Sequence, residues 1–165
     1  MTNSYNNKMI ILGIDPGLSV TGWGVTEAFS RDKINLIEYG CIKTAHSIPL
    51  GQRLRSINME LQLVIDKYRP DAVAIEELFF FKISKGTMSL WQARGAIVLT
   101  ISLNKIPLFE YNPKLVKIAL TGYGSSDKYQ IQYMVKTLLK LKNMPTPDDA
   151  ADALAIAMCH INSIK

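Results

Sequence analysis

The sequence predicts an α/β fold built on a mixed, five-stranded sheet flanked by helices, and three observations predict it. Short apolar runs that suit strands alternate with longer segments whose apolar residues follow helical spacing. Two of the runs are joined by a four-residue turn, which is typical of an antiparallel hairpin. The later runs are separated by helical segments, which is typical of parallel neighbours in a sheet.

The first 44 residues contain three predicted strands. Residues 9–14 (MIILGI) form a short apolar run rich in β-branched residues, which indicates a strand buried on both faces. Residues 20–29 and 34–44 alternate apolar and polar side chains, and SRDK at 30–33 is the turn between them. We therefore expect strand 1 to be parallel to strands 4 and 5, and strands 2 and 3 to be antiparallel.

A long helix and a buried strand follow. Residues 50–68 carry apolar side chains at helical 3–4 spacing: Leu50, Leu54, Ile57, Leu61, Val64, Ile65 and Tyr68. Arg69–Pro70 ends this helix, because proline disfavours the helical conformation in the residue before it. The apolar run at 71–77 is strand 4, and it ends in two acids.

The remaining residues predict a helix, a fifth strand and then three further helices. Residues 87–104 form a helix and 106–111 form strand 5. Asn112 caps a short helix with Pro113 in its first turn. The TGYGSS segment ends that helix, a further helix spans 127–142, and the last begins near Thr146.

Composition bounds the function classes. No repeat or linker divides the 165 residues, so we expect one domain, with residues 1–8 as a flexible extension. No apolar stretch reaches the ~18 residues of a membrane span. Cys41 and Cys159 form no C-x-x-C pair and the first residues resemble no secretory signal, which favours free thiols and a cytoplasmic location. The net charge of +5 suits a polyanionic partner, although many small proteins are basic.

Four carboxylates form the candidate site. Asp15 and Glu76 follow two predicted parallel strands, whose carboxyl ends meet at one crevice of an α/β sheet. Asp149 and Asp152 are spaced i, i+3 on one face of the last helix. Oxygen ligands without His or Cys suit Mg²⁺ or Mn²⁺, and two such ions ~3.5–4 Å apart can hydrolyse a phosphodiester.

Asp15 and Asp149 also have simpler interpretations. Asp15 can be a turn residue in DPG. Asp148 and Asp149 complement the dipole of the last helix from its first turn. Asp152 lies a turn inside an Ala-rich segment, where neither explanation applies.

Six segments, in order from residue 8 to residue 160, resemble the RuvC family of Holliday junction resolvases (crossover junction endodeoxyribonucleases). They read ILGIDPGLSVTGWGV, AIEELFF, QARGAI, PLFEYNPKLVK, TGYGSSDK and PDDAADALAIAMCH. The resemblance implies a ribonuclease H-like fold and a homodimer that cuts four-way junction DNA symmetrically, leaving ligatable nicks in recombination and repair. It also implies partnership with the RuvA–RuvB branch-migration complex.

The same resemblance assigns residues. The family's catalytic acids fall on Asp15, Glu76, Asp149 and Asp152, although Asp148 can stand structurally for Asp149 because it is four residues from Asp152. Lys117 and Lys128 match basic positions that contact the scissile phosphate, and solvated helix lysines are the alternative. Phe79 matches an aromatic residue that stacks on unpaired bases, and ordinary core packing is the alternative. We further expect Lys82, Lys85 and Arg94 to follow the DNA backbone.

Three other functions remain open from the sequence. The D-x-G-x-x-x-x-G pattern at 15–22 also occurs in the actin and sugar-kinase superfamily, which requires a second such domain. A nuclease of RNA on the same fold is a nearer alternative. The third is a junction-binding protein without activity, against which the intact acids argue.

Overall fold

The computed structural model describes residues 8–78 and 85–164, and only the backbone of Lys85. Within them the five predicted strands and five predicted helices are present, in the order β1 (Met9–Asp15), β2 (Val20–Ser30), β3 (Lys33–Lys43), α1 (Leu50–Tyr68), β4 (Ala72–Glu76), α2 (Lys85–Leu103), β5 (Leu108–Tyr111), α3 (Pro113–Thr121), α4 (Lys128–Leu138) and α5 (Asp148–Ser163). The α/β fold class is therefore confirmed.

One helix end differs from the prediction by more than two residues. The helix expected over 127–142 ends at Leu138. Lys140 adopts a left-handed backbone with φ 54°, and the Leu141 amide donates to the Lys136 carbonyl at 2.9 Å. This closes the helix where the apolar spacing alone predicts that it continues.

The sheet has the strand order β3-β2-β1-β4-β5. β1 pairs antiparallel with β2 and parallel with β4, while β2–β3 is antiparallel and β4–β5 parallel, as predicted. The register places Ile14 of β1 opposite Ile75 of β4. The residues that follow them, Asp15 and Glu76, therefore leave the sheet side by side.

Helices cover both faces of the sheet. The alternation along β4 shows the two layers: Val73 and Ile75 pack with α1 and α2, whereas Ala74 packs with α3, α4 and α5. Burial of these aliphatic side chains is the main driving force that holds the helices on the sheet. In the described ranges no helix is long and apolar enough to cross a membrane. Cys41 and Cys159 are free thiols, as predicted.

Helix α5 lies unusually close to β1 and β2. A Cβ atom added at Gly13 would stand 2.0 Å from the Ala153 carbonyl oxygen, and one added at Gly22 would stand 2.0 Å from that of Asp149. Only glycine leaves room for this approach of helix backbone to strand backbone. The two glycines thus fix the distance between the start of α5 and the strand ends.

Candidate active site

Two of the four predicted acids end neighbouring parallel strands. Asp15 is the last residue of β1 and Glu76 the last residue of β4. Both side chains are only partly exposed, although the strands that carry them are almost fully buried. The carboxylates therefore sit in a crevice at the edge of the sheet where ligands bind in open α/β folds.

The other two predicted acids come from the first turns of α5. Asp149 and Asp152 share one side of this helix by their i, i+3 spacing. The backbone of Asp149 packs on Gly22, and Gly22 pairs with Asp15 across β1 and β2. The close approach of α5 to the sheet thus brings its acids to the strand ends.

The protonation of Asp15 shows that the four carboxylates act on one another. Burial, followed by the charges of Glu76, Asp152 and Asp149, raises the pKa of Asp15 from 3.8 to about 8, while Lys128 opposes this shift. Burial also raises the pKa of Glu76, with Asp152 adding to the shift. The site therefore concentrates negative charge that lacks a sufficient counter-charge of its own.

Two lysines border the acids. Lys128 begins α4, and its Nζ lies 3.2 Å from Asp152 Oδ2 and 3.3 Å from Asp148 Oδ2. Lys117 of α3 lines a cavity of about 210 Å³ together with Lys128, Glu76 and Asp152. Both predicted lysines are thus placed beside predicted acids.

Asp148 and Asp149 face different surroundings. Asp148 is exposed and pairs with Lys128. Asp149 acts on the pKa of Asp15 and lines a second cavity beside the β1–β2 turn. These surroundings favour Asp149 as the fourth member of the site.

The donor set fits a hard divalent cation in its chemistry. All four donors are carboxylates, and a positive ion bound between them would relieve their mutual repulsion. In the part of the chain that the structure describes, no group of three or more Asp, Glu, His or Cys side chains is already arranged to hold an ion. The ion pair between Lys128 and Asp152 occupies one carboxylate in this state.

The predicted DNA contacts are described in part. Phe79 and Lys82 lie outside the described residues, and Lys85 is described only as the backbone start of α2. Arg94 on α2 pairs with Glu110 of β5 at 2.5 Å, and its side chain is 13% exposed. The guanidinium therefore holds α2 to the sheet edge, and its contact with DNA stays a prediction.

One polar residue beside the acids was not predicted from the sequence. Arg53 is buried on α1, four residues before Ile57, and contacts Ser19 of the β1–β2 turn. A signal was present, because Arg53, Ile57 and Leu61 recur every four residues on the inner face of α1. An arginine at a position that otherwise carries buried apolar side chains indicates a buried charge with a specific role.

Comparison with known proteins yields a family match over most of the chain. Residues 11–160 match the family model described as "Crossover junction endodeoxyribonuclease RuvC". The relative of that name from Endomicrobium trichonymphae is 71% identical over 95% of this chain and 83% of its own, and that from Caldicellulosiruptor saccharolyticus is 50% identical over 94% and 93%. The structure of Thermus thermophilus RuvC in complex with a Holliday junction substrate superposes with a TM-score of 0.87 at 36% identity, covering 92% of each chain.

Proposed function

The chain belongs to the RuvC family of crossover junction endodeoxyribonucleases, and from this membership we propose how its own residues act on a four-way junction. It is a structure-selective DNA endonuclease that resolves Holliday junctions by symmetric, metal-dependent hydrolysis, leaving ligatable nicks in recombination and repair. The alternatives of a nucleotide-phosphate kinase, an RNA nuclease and an inactive binding protein are set aside by this membership. The observation that carries the residue assignments is the mutual electrostatic influence of four carboxylates from β1, β4 and α5.

We propose Mg²⁺ as the metal, with two ions per site and Mn²⁺ as a substitute. Asp15, Glu76, Asp149 and Asp152 would hold them, because these carboxylates supply the oxygen ligands that such ions prefer. Bound there, the ions supply an activated water and stabilise charge on the attacking and leaving oxygens. The partly buried strand ends hold the carboxylates in place so that little reorganisation is needed during reaction.

Lys117 and Lys128 complete the proposed catalytic set. Lys128 is held beside Asp152 by its ion pair, and Lys117 lies across the same cavity. An ammonium group at this position stabilises the negative charge that grows on the phosphate in the transition state. Burial raises the pKa of Asp152, and Lys128 opposes this shift from its position beside the carboxylate.

The wider DNA surface is proposed from the sequence and the net charge of +5. Phe79 stacks on an unpaired base near the crossover, which contributes about 1–3 kcal/mol per base. Lys82, Lys85 and Arg94 follow the backbone, with Arg94 also bound to Glu110. We propose that residues 1–165 form one nuclease domain and that the protein acts in the cytoplasm with the RuvA–RuvB complex.

We propose that the protein acts as a homodimer through an apolar patch on α1 and α2. Asn58 of α1 donates to Thr100 of α2 at 2.7 Å, and Gln62 and Asn104 exchange hydrogen bonds, so the two helices run side by side in the same direction. Successive residues of a right-handed helix are rotated by about 100°. The residue that follows each contacting residue of α1 and the residue that precedes each contacting residue of α2 therefore point to the same side of the helix pair. That side carries the apolar patch: Met59, Leu63, Leu99 and Leu103.

All four side chains of the apolar patch are more than half exposed. Soluble proteins rarely expose a contiguous apolar surface, and such a surface usually marks an interaction site. A second copy is the occupant that symmetric cutting requires, because two opposed strands need two equivalent active sites.

A substrate comparison tests the proposed function. With Mg²⁺ present, a synthetic four-way DNA junction should be cut by paired, symmetric incisions that ligase seals. A linear duplex of the same sequence and a structured RNA should remain uncut under the same conditions. Equal cleavage of the linear duplex, or cleavage of the RNA alone, would contradict the proposal.

A further inference from the structure

A second cavity, of about 470 Å³, lies beside the site and is not used by the mechanism above. Its wall includes Ser19 of the β1–β2 turn, His46, Arg53 of α1 and the first turns of α2. Asp149 also lines it, so the cavity adjoins the carboxylate site, and neither Lys117 nor Lys128 is among its lining residues.

Arg53 is a buried cation whose hydrogen-bond partners among the described residues are all neutral. The residue is only 7% exposed. Its Nε donates to Thr44 Oγ1 at 2.9 Å, and its Nη2 donates to Ser19 Oγ at 3.0 Å and to the Thr44 carbonyl at 3.4 Å. Among the ion pairs of the described residues none includes Arg53.

A buried charge without an opposite charge is costly, and hydrogen bonds to hydroxyl and carbonyl groups compensate it only in part. The cavity beside Arg53 has room for an anion that would provide this compensation. Ser19 connects the charge to an imidazole, because its hydroxyl also lies within hydrogen-bond distance of His46 Nε2, at 3.1 Å. The three side chains thus form one polar wall.

Phosphate is the anion that this wall fits. An arginine guanidinium presents several donors in one plane and binds phosphate oxygens well, and hydroxyl and imidazole groups add further hydrogen bonds. The carboxylate of Asp149 on the adjoining wall links the cavity to the acids that would hold the metal. An anion here would lie next to the reacting phosphodiester.

We propose that Arg53, Ser19 and His46 bind a backbone phosphate of the strand being cut, adjacent to the scissile one. This inference rests on the proposed function and deepens it by naming a contact that positions the substrate strand. Because Arg53 also joins α1 to the β1–β2 turn, binding of the phosphate transmits the position of the strand to the turn that follows Asp15.

A purely structural role for Arg53 would have a different signature. Loss of a structural clamp lowers stability but leaves the number of phosphates neutralised by DNA binding unchanged. Loss of a phosphate contact lowers the slope of log affinity against log salt concentration, by about 0.9 for each contact with duplex DNA. The salt slope therefore separates the two roles.

The test measures affinity for a four-way DNA junction at several salt concentrations, with every variant made in the uncut Asp15→Asn background. Arg53→Gln should weaken binding at low salt about tenfold to a hundredfold and reduce the magnitude of the salt slope by about 0.9. Arg55→Gln is the matched control, because Arg55 is exposed on the same helix and loses the same charge. It should leave the slope unchanged.

Ser19→Asp gives an independent arm that retains Arg53 and supplies it with an internal counter-charge. It should reproduce the weakened binding and the lower slope, and it decides the question if Arg53→Gln does not fold. Ser30→Asp adds the same charge at the opposite end of β2, about 30 Å away along the strand, and should leave the slope unchanged.

An unchanged slope in folded Arg53→Gln or in Ser19→Asp would overturn the inference, and so would an equal fall in Arg55→Gln or Ser30→Asp. A parent protein that binds the junction no better than a linear duplex would instead contradict the proposed function, and this inference with it.

Discussion

Asp15→Asn is expected to slow junction cleavage by about 10³-fold or more while leaving junction affinity nearly unchanged. The substitution keeps the shape of the side chain but removes a charged ligand from the centre of the four acids. Electrostatic stabilisation of several kcal/mol depends on this charge, and about 4 kcal/mol corresponds to a thousandfold in rate. Single-turnover cleavage with Mg²⁺, beside an independent binding titration, measures the two effects separately.

The same substitution should stabilise the metal-free protein. The folded state raises the pKa of Asp15 to about 8, above its ordinary 3.8. The stability that the protonated side chain contributes is therefore complete below pH 3.8 and is lost as the pH rises toward 8. The amide that replaces the carboxyl group cannot ionise, so the melting temperature of Asp15→Asn should exceed that of the native protein by more at pH 8 than at pH 5.

The control for both effects is Asp32→Asn, which removes a carboxylate from the exposed turn between β2 and β3. It should leave the cleavage rate and the pH dependence of melting as they are in the native protein. Full activity in Asp15→Asn would remove Asp15 from the catalytic set.

Glutamate at both Leu99 and Leu103 is expected to separate the dimer and abolish paired incision. Both leucines are exposed on α2 in the single chain, so the substitution does not disturb its core. Burial of a leucine side chain contributes about 1.5–3 kcal/mol, and a loss of about 4 kcal/mol over the two positions raises the dimer dissociation constant by about a thousandfold. Sedimentation measures the mass, and a junction labelled on opposed strands reports whether both are cut in one encounter.

The matched control places the same two charges at Ile37 and Leu138, which are exposed on β3 and α4, away from the apolar patch. That variant should remain dimeric and cut both strands. A dimer that survives glutamate at Leu99 and Leu103 would exclude the apolar patch as its interface.

The sequence predicted the sheet because its signals are local. The β-branched run at 9–14, the hairpin turn at 30–33 and the helical spacing over 50–68 each identify one element, and the observed strand order follows from their connections. Asp15 and Glu76 were found for a related reason. The last residue of each parallel strand meets the same crevice wherever two such strands are neighbours.

The features that escaped prediction depend on contacts between distant segments. The position of Asp149 depends on the close contact between its backbone and Gly22, which only a glycine allows. Nothing in the sequence near either residue indicates that contact. The end of α4 is decided by the left-handed backbone of Lys140, a residue with no turn preference of its own. Arg53 is a different case, because its four-residue spacing from Ile57 and Leu61 already indicates in the sequence that it lies on the buried face of α1.

The most direct test of the proposed metal site is the position of Mn²⁺ in a crystal of the native protein soaked with that ion, found from its anomalous scattering. We expect density about 2.0–2.6 Å from carboxylate oxygens, with Asp15 and at least two of Glu76, Asp149 and Asp152 among the ligands. Full-strength density elsewhere, with Asp15 touching no ion, would contradict it.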